Sequence, residues 1–255
     1  MIGFTEAQIM AWVTPVFWPF LRVLALFTAA PVLSARAFPA RSRIALAFFI
    51  ALCAQPGLTD QPQISLNAPN ALMVAIQQVT VGLSLGLATR IVFSSVELGG
   101  ELIGLQMGLN FAGFFDPTTG SQSSAVGRLF GNLTMLLFVV LNGHLLLIHT
   151  LIKSFHQFPI GQDPLQVAAR LKLHELGSVV FSQGLLLALP LIGILLFVNA
   201  VLGILSRVAP QMNALAIGFP VTLSAGLVGL IGTMPLLEQP LIKLLNSLAD
   251  LFGGN

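Results

Sequence analysis

Long apolar runs separated by few charges restrict the fold of this chain more than any other feature. Hydrophobic residues make up 56% of its 255 residues and charged residues only 8%, whereas soluble domains carry about 25% charged residues. Lipid offers no hydrogen-bond partners, so a backbone that crosses it must satisfy its own N–H and C=O groups, as a helix does. We therefore predict an all-α membrane protein with room for about five or six helices of ~20 residues each.

The apolar runs and their flanking turn residues predict where the helices lie. Pro190 is expected to break one of them, and Pro220 lies inside the last. The predicted helices are Ile9–Leu33, Ala71–Phe93, Ser94–Leu109, Leu129–Ile152, Val179–Leu205 and Leu215–Leu236, and a further apolar run, Ile44–Ala54, is short for a span.

Residues within these helices predict close contacts of the chain with itself or with other subunits. Arg22 lies near the middle of the first run, and a charge at that depth should face protein or water rather than lipid. Gly82 and Gly86 form a small-xxx-small pair, which lets two helix backbones approach closely. Further small residues recur every four positions and predict a groove along one helix face: Gly100, Gly104 and Gly108.

A glycine-, serine- and phenylalanine-rich loop interrupts the apolar sequence at Gly108–Ser124. Irregular backbone survives at membrane depth only where it is buried in protein or lines a water-filled cavity. The phenylalanines of this loop allow two interpretations, because apolar rings on a flexible loop can exclude water from a pore or simply pack onto a surface. Those phenylalanines are Phe111, Phe114 and Phe115.

Glu97 and Glu101 lie four residues apart and so share one face of a helix. Paired carboxylates can relay protons or bind a cation, because each alters the pKa of the other. They can also accept hydrogen bonds from the helices of neighbouring subunits. The residues alone leave both interpretations open.

Other classes of function have little support in the sequence. No block of like charge predicts nucleic-acid binding, and the only cysteine is Cys53, which excludes a multi-cysteine metal site. His144 and His149 are five residues apart and cannot share a helical face. Motifs for a nucleophile or a nucleotide site are missing. We therefore predict no catalytic residue, no metal, no cofactor and no enzymatic activity.

Short motifs along the whole chain resemble one family. With their order and spacing, these motifs are similar to those of FliR, the flagellar export-gate family with relatives in virulence type III secretion. The stretches that carry the resemblance are Gly100–Gly104 (GELIG), Phe115-Asp116-Pro117, Asn142-Gly143-His144, Ser154-Phe155-His156, Phe158–Gly161 (FPIG) and Ser206–Asn213 (SRVAPQMN).

The resemblance implies an architecture and a set of partners. It implies one export-gate subunit over residues 1–255, made of membrane-type helical hairpins within a gate of helical symmetry. Residues 1–177 would be similar to a FliP subunit and residues 178–255 to a FliQ hairpin. The implied partners are FliP, FliQ, FlhB and FlhA, with unfolded flagellar proteins as export substrates. The implied location is the flagellar basal body in the bacterial inner membrane.

The resemblance also implies roles for particular residues. The range 107–124 corresponds to the family's plug loop, which closes the central pore at rest. The implied plug residues are Met107, Phe111, Phe114, Phe115, Asp116 and Pro117. The implied subunit contacts are Glu97, Glu101, Arg207, Gln211 and Asn213.

Two other functions remain open from the sequence. One is an architectural assembly factor for the gate, whose loop never moves. The other is a stand-alone secondary transporter with a midplane site at Arg22, Arg90 or Glu97; such transporters contain broken helices in matched halves.

Overall fold

The described part of the chain is built from α-helices. The computed structural model describes residues 5–35, 38–109, 124–171, 176–209 and 214–253. Within these ranges no strand occurs, which confirms the predicted all-α class. The helices of the described ranges are α1 (Glu6–Ala29), α2 (Ala40–Ala54), α3 (Ala71–Gln106), α4 (Ala125–Val140), α5 (Gly143–Gln157), α6 (Pro164–Leu171), α7 (Leu176–Val208), α8 (Ala214–Thr233) and α9 (Glu238–Gly253).

Four stretches of the described helices are long and apolar enough to cross a membrane. A fifth span results if α4 and α5 together form one broken span. The upper count therefore reaches the lower end of the predicted five or six. The four stretches are Gln8–Ala29, Ala71–Gln106, Gly177–Val208 and Ile217–Phe252.

Two predicted helix breaks do not occur. The boundary at Phe93/Ser94 was wrong, because α3 runs without interruption through it. The hydroxyl of Ser95 donates to the carbonyl oxygen of Ile91 at 2.8 Å, so this polar residue is accommodated within the helix. The break at Pro190 was also wrong, because the residue lies inside the continuous helix α7. A proline removes one backbone donor but has a φ that suits a helix.

A helix break that the sequence did not predict separates α4 from α5. We expected one helix over Leu129–Ile152, but the backbone turns at Asn142, whose φ is 54°. This left-handed conformation is unfavourable for most residues, although asparagine adopts it more readily than others. Gly143 then begins α5. Hence the Asn-Gly pair ends the first helix and starts the second.

The chain divides into two compact units. The first unit comprises Met1–Arg90, Asn142–Leu176 and Leu244–Asn255, and the second comprises Ile91–Leu141 and Gly177–Lys243. These units are defined by internal contacts, whereas the predicted division at residue 177 concerns likeness to other subunits and stays a prediction.

Close contact between α1 and α3 organises the first unit. A Cβ atom at Gly82 would overlap the backbone oxygen of Arg22 and lie 2.8 Å from Cβ of Ala25. At Gly86 it would lie 3.0 Å from the carbonyl oxygen of Leu26. The two glycines therefore permit backbone-to-backbone contact, as predicted. One core cluster of this unit consists of Trp18, Ala54, Leu58, Val74, Phe155 and Ile160.

Arg22 is completely buried beside this contact, which confirms that it faces protein. Its Nε donates to Oε1 of Gln78 at 2.8 Å, and its two terminal nitrogens donate to Oγ of Ser154 at 3.1 Å and to the carbonyl oxygen of Phe158 at 2.8 Å. The guanidinium carbon lies 3.7 Å from the ring centroid of Phe155. One cation thus ties α1, α3 and α5 together through neutral acceptors.

Candidate functional site

The predicted plug loop can be examined at its two ends. Residues 110–123 lie outside the described residues, and this range contains the predicted plug residues Phe111, Phe114, Phe115, Asp116 and Pro117. The structure describes the segment's entry at the end of α3 and its exit at the start of α4. We call residues 100–109 and 124–130 the loop frame; all of them belong to the second unit.

A Schellman motif ends α3 at the entry to the loop. Gly108 has a φ of 78°, a conformation that glycine adopts without the strain that a Cβ atom would cause. Its N–H donates to the carbonyl oxygen of Leu105 at 3.0 Å, and that of Leu109 donates to Gly104 at 3.0 Å. These two bonds satisfy the last carbonyl groups of the helix. Gly108 therefore ends α3 where the predicted loop begins.

Met107 packs into the hydrophobic core of the second unit and so fixes the end of α3. Its side chain is fully buried and lies against α8 at Gly226, where a Cβ atom would come within 2.6 Å of Met107 Cγ, Sδ and Cε. The core cluster around it consists of Val96, Ile103, Val126, Phe130, Ala188, Leu191, Leu195, Leu230 and Leu237. Met107, which we expected among the plug residues, is thus a packed core residue in this structure.

Ser124 caps α4 at the exit from the loop. Its Oγ accepts a hydrogen bond from the N–H of Gly127 at 2.9 Å, as a helix N-cap does. The N–H of Ser124 donates to Oε1 of Glu101 at 2.7 Å. A carboxylate at this position is stabilised by the unpaired N–H groups and the dipole of the helix N-terminus. The start of α4 is therefore fixed to α3 through the carboxyl group of Glu101.

Glycines bring α3 and α4 into direct contact at the exit. A Cβ atom at Gly100 would lie 2.9 Å from Cα of Gly127, and one at Gly104 would lie 2.8 Å from Oγ of Ser124. At Gly127, a Cβ atom would overlap the carboxylate of Glu101. The predicted groove at Gly100 and Gly104 is thus confirmed, and it receives the start of α4.

The other predicted contact residues lie in different surroundings. Glu97 is partly buried, and its Cδ would lie 3.9 Å from a Cβ atom at Gly131 of α4. Arg207 is exposed near the end of α7. The remaining two, Gln211 and Asn213, lie outside the described residues.

The hydrogen bonds and packing of the loop frame hold the end of α3 and the start of α4 in place. Among the residues that the structure describes, no group of three or more His, Cys, Asp or Glu side chains could hold a metal ion. Oε1 of Glu101 accepts a hydrogen bond from the backbone N–H of Ser124 in the same chain. No signal in the sequence indicates the contact of Met107 with Gly226. A serine just before an apolar helix, by contrast, is a recognised N-cap signal and could have identified Ser124.

The chain is similar over nearly its whole length to flagellar proteins. A family model described as bacterial export proteins, family 1, matches residues 13–248. Flagellar biosynthetic protein FliR of Escherichia coli (strain K12) is 43% identical over 259 residues, which cover 99% of this chain and 98% of that protein. FliR of Pectobacterium carotovorum subsp. carotovorum is 41% identical over 255 residues, covering 99% and 97%. FliR of Bacillus subtilis (strain 168) is 28% identical over 218 residues, covering 84% of each chain. As its motifs predicted, the chain belongs to the FliR family of bacterial flagellar export proteins.

Proposed function

We propose that the chain is a structural and gating subunit of the flagellar type III protein export channel, with segment 107–124 as the plug that closes the pore. Unfolded flagellar proteins would pass through this channel across the bacterial inner membrane, and the chain itself would catalyse no reaction. Its partners would be FliP, FliQ, FlhB and FlhA in the flagellar basal body. Residues 1–177 would take the place of a FliP-like part and residues 178–255 that of a FliQ-like hairpin.

The loop frame is the observation that carries this proposal. The described residues on either side of 110–123 are fixed, because Met107 packs into the core of the second unit and Ser124 caps α4. Apolar rings at a constriction can exclude water from a pore, and fixed flanking residues would hold such rings in one place. In this arrangement Met107 anchors the plug, and Phe111, Phe114 and Phe115 fill the pore.

Exposed apolar side chains on α7 and α8 support assembly in a membrane or with other subunits. Phe197 and Val228, for example, are each 72% exposed. Apolar patches of this kind mark surfaces that contact other proteins or lipid. Other large exposed side chains on these helices are Phe181, Leu186, Ile194, Leu196, Ile204, Val208 and Ile231.

The described residues contain one broken span, α4 with α5, without a matched second one, and this favours a gate subunit over a stand-alone transporter. A transporter with a midplane site is expected to contain discontinuous helices in matched halves. Here α3 is continuous through Arg90, and α7 and α8 are continuous through Pro190 and Pro220. Arg22 is already surrounded by acceptors of its own unit.

Deleting Ala112–Gly120 is expected to make cells leak ions and small solutes, because the pore loses two of the three rings that keep it dry, Phe114 and Phe115. The measurement is uptake of a small impermeant solute by cells that carry the variant chain. The same amounts of FliP and FliQ must copurify with the variant and with the natural chain. Unchanged uptake in a fully assembled complex would contradict the plug.

Substitutions of the three phenylalanines refine the test. Changing Phe111, Phe114 and Phe115 together to serine should cause a similar leak, because polar side chains admit water. Changing the same three residues to leucine is the matched control and should leak far less, since the side chains stay apolar. Equal leakage from the two variants would mean that exclusion of water is not the function of these rings.

Crosslinking to a stalled export substrate distinguishes a gate subunit from an architectural assembly factor. A photoreactive group placed within residues 111–116 should crosslink to a substrate that is stalled during export. The matched control is the same group at exposed Leu165 on α6, where no crosslink is expected. A loop that only stabilises assembly would give no crosslink at either position.

A further inference from the structure

We propose that a polar cavity beside the proline-containing part of α1 is a binding site for ordered water, which hydrates this helix within a candidate membrane span. The cavity has a volume of about 70 Å³, and all the residues that line it belong to the first unit. A water molecule occupies ~30 Å³ in the liquid, so the cavity has room for about two. This inference does not depend on the proposed function.

The hydroxyl of Thr14 requires a hydrogen-bond partner in this cavity. Thr14 lines the cavity and is only 6% exposed. Its hydroxyl makes no hydrogen bond within the ranges that the structure describes. Other buried threonines, Thr89, Thr134 and Thr150, each donate to a backbone carbonyl one turn earlier. A buried hydroxyl without a partner is costly, and a water molecule in the cavity supplies one.

Two prolines of α1 remove backbone donors beside the same cavity. Pro15 and Pro19 lie inside the helix, and both line the cavity. Because proline has no N–H, the carbonyl oxygens of Ala11 and Pro15 lack the donor that usually lies four residues later. In apolar surroundings such groups are satisfied by neighbouring side chains or by ordered water. Pro15 therefore adds a carbonyl acceptor without its helical donor to the lining of the cavity.

Hydrogen bonds hold the loop that covers the cavity in place. Oε1 of Gln61 accepts from the N–H of Ile160 at 3.2 Å, and its Nε2 donates to the carbonyl oxygen of Phe155 at 3.1 Å. Nε1 of Trp18 donates to the carbonyl oxygen of Ile64 at 2.9 Å. The loop after α2 is thus tied both to α1 and to the end of α5. These bonds give the cavity a fixed shape, which favours ordered water over mobile water.

The lining of the cavity changes from exposed to buried residues. Gln55, Thr59 and Gln63 are exposed, whereas Trp18 is only 2% exposed. Water can therefore enter from the side of the loop. Thr14 and Trp18 belong to Gln8–Ala29, a stretch long and apolar enough to cross a membrane. Water at these residues would hydrate a helix at a depth where lipid offers no hydrogen bonds.

Radiolytic labelling tests for this water. Short X-ray pulses convert bound water into hydroxyl radicals, which oxidise the side chains next to it even where bulk solvent is excluded. In the chain within its assembly in lipid, mass spectrometry should detect oxidised Trp18. Phe27 is the matched control, because it is fully buried on α1 and does not line the cavity. Labelling of Trp18 that is no greater than that of Phe27 would overturn the inference, as expected if lipid or a partner chain fills the cavity.

Two substitutions of Thr14 test whether its hydroxyl binds the water. Thr14→Val has nearly the same shape but no hydroxyl, so it should lower the labelling of Trp18 by about threefold or more, since one hydrogen bond is lost. Thr14→Ser keeps the hydroxyl and should retain the labelling of the natural chain. Equal or higher labelling of Trp18 in Thr14→Val would overturn the assignment of the water to Thr14.

A density map of the assembly provides a second measurement. At a resolution that shows ordered water, a peak is expected ~2.7–3.0 Å from Oγ1 of Thr14. Clear density for the side chains of Thr14 and Trp18 without such a peak between them and the loop would overturn the inference.

Discussion

Replacing Arg22 with methionine is expected to destabilise the first unit by about 2–4 kcal/mol. The substitution leaves buried acceptors on Gln78 and Phe158 without their donor, and each costs ~1–3 kcal/mol. It also removes the contact of the cation with the ring of Phe155, which contributes up to ~2 kcal/mol at a desolvated site. The gain from no longer burying a charge offsets part of this loss. The measurement is the thermal unfolding midpoint of the protein purified in detergent, within its assembly.

Two further arginine substitutions serve as controls for this prediction. Arg22→Lys keeps the charge but cannot reproduce the planar set of donors, so it should also lower the midpoint. Arg41 is exposed on α2, and Arg41→Met should change stability by less than about 0.5 kcal/mol. If Arg22→Lys had the midpoint of the natural chain, the charge rather than the bonding geometry would be what matters.

A double substitution tests whether the lost hydrogen bonds cause the effect. Gln78→Met in addition to Arg22→Met replaces donor and acceptor by apolar groups of similar length. Removal of both partners is less costly than removal of one, so the double variant should be more stable than the sum of the single effects predicts. Strict additivity would show that the bond between these side chains contributes little.

The second large effect is expected from Gly82→Ala, which should destabilise the first unit by about 2 kcal/mol. The new Cβ atom would overlap the backbone oxygen of Arg22 and lie 2.8 Å from Cβ of Ala25. A backbone atom cannot rotate away as a side chain can, so α1 and α3 must separate, and overpacking of this kind costs ~1–3 kcal/mol or more. Alanine's better helix propensity returns ~1 kcal/mol.

Gly193→Ala is the matched control for this substitution. Gly193 also lies inside a long apolar helix, but no atom lies within 4 Å of the Cβ that it would acquire. The control should therefore be neutral or stabilising by up to ~1 kcal/mol. The measured quantity is the difference between the two thermal midpoints. Equal midpoints would contradict the close contact of α1 and α3 at Gly82.

The contacts that could be predicted are those that a residue's own properties require. A cation deep in an apolar run must find acceptors, so Arg22 could be placed inside the protein before its partners were known. Glycines four residues apart mark a helix face without side chains, which made Gly82 and Gly100 recognisable as contact positions. In each case the pattern identified the surface but not the helix that covers it.

The features that sequence analysis missed depend on partners far along the chain. The pairing of Met107 with Gly226 joins residues more than a hundred positions apart, and neither residue type alone indicates it. The predicted helix boundaries were wrong for a related reason. Serines look like turn residues, yet the hydroxyl of Ser95 in the middle of α3 is satisfied within the helix. At Asn142, conversely, a local left-handed residue outweighed the apolar run that favoured one helix.

The pairing of Met107 with Gly226 has a consequence for the evolution of this family. A side chain at position 226 would occupy the space of the methionine, so the two positions are constrained jointly rather than one at a time. Relatives with a larger residue at 226 should carry a shorter one at 107. Covariation of these two positions would then record, across many species, a contact that neither residue reveals alone.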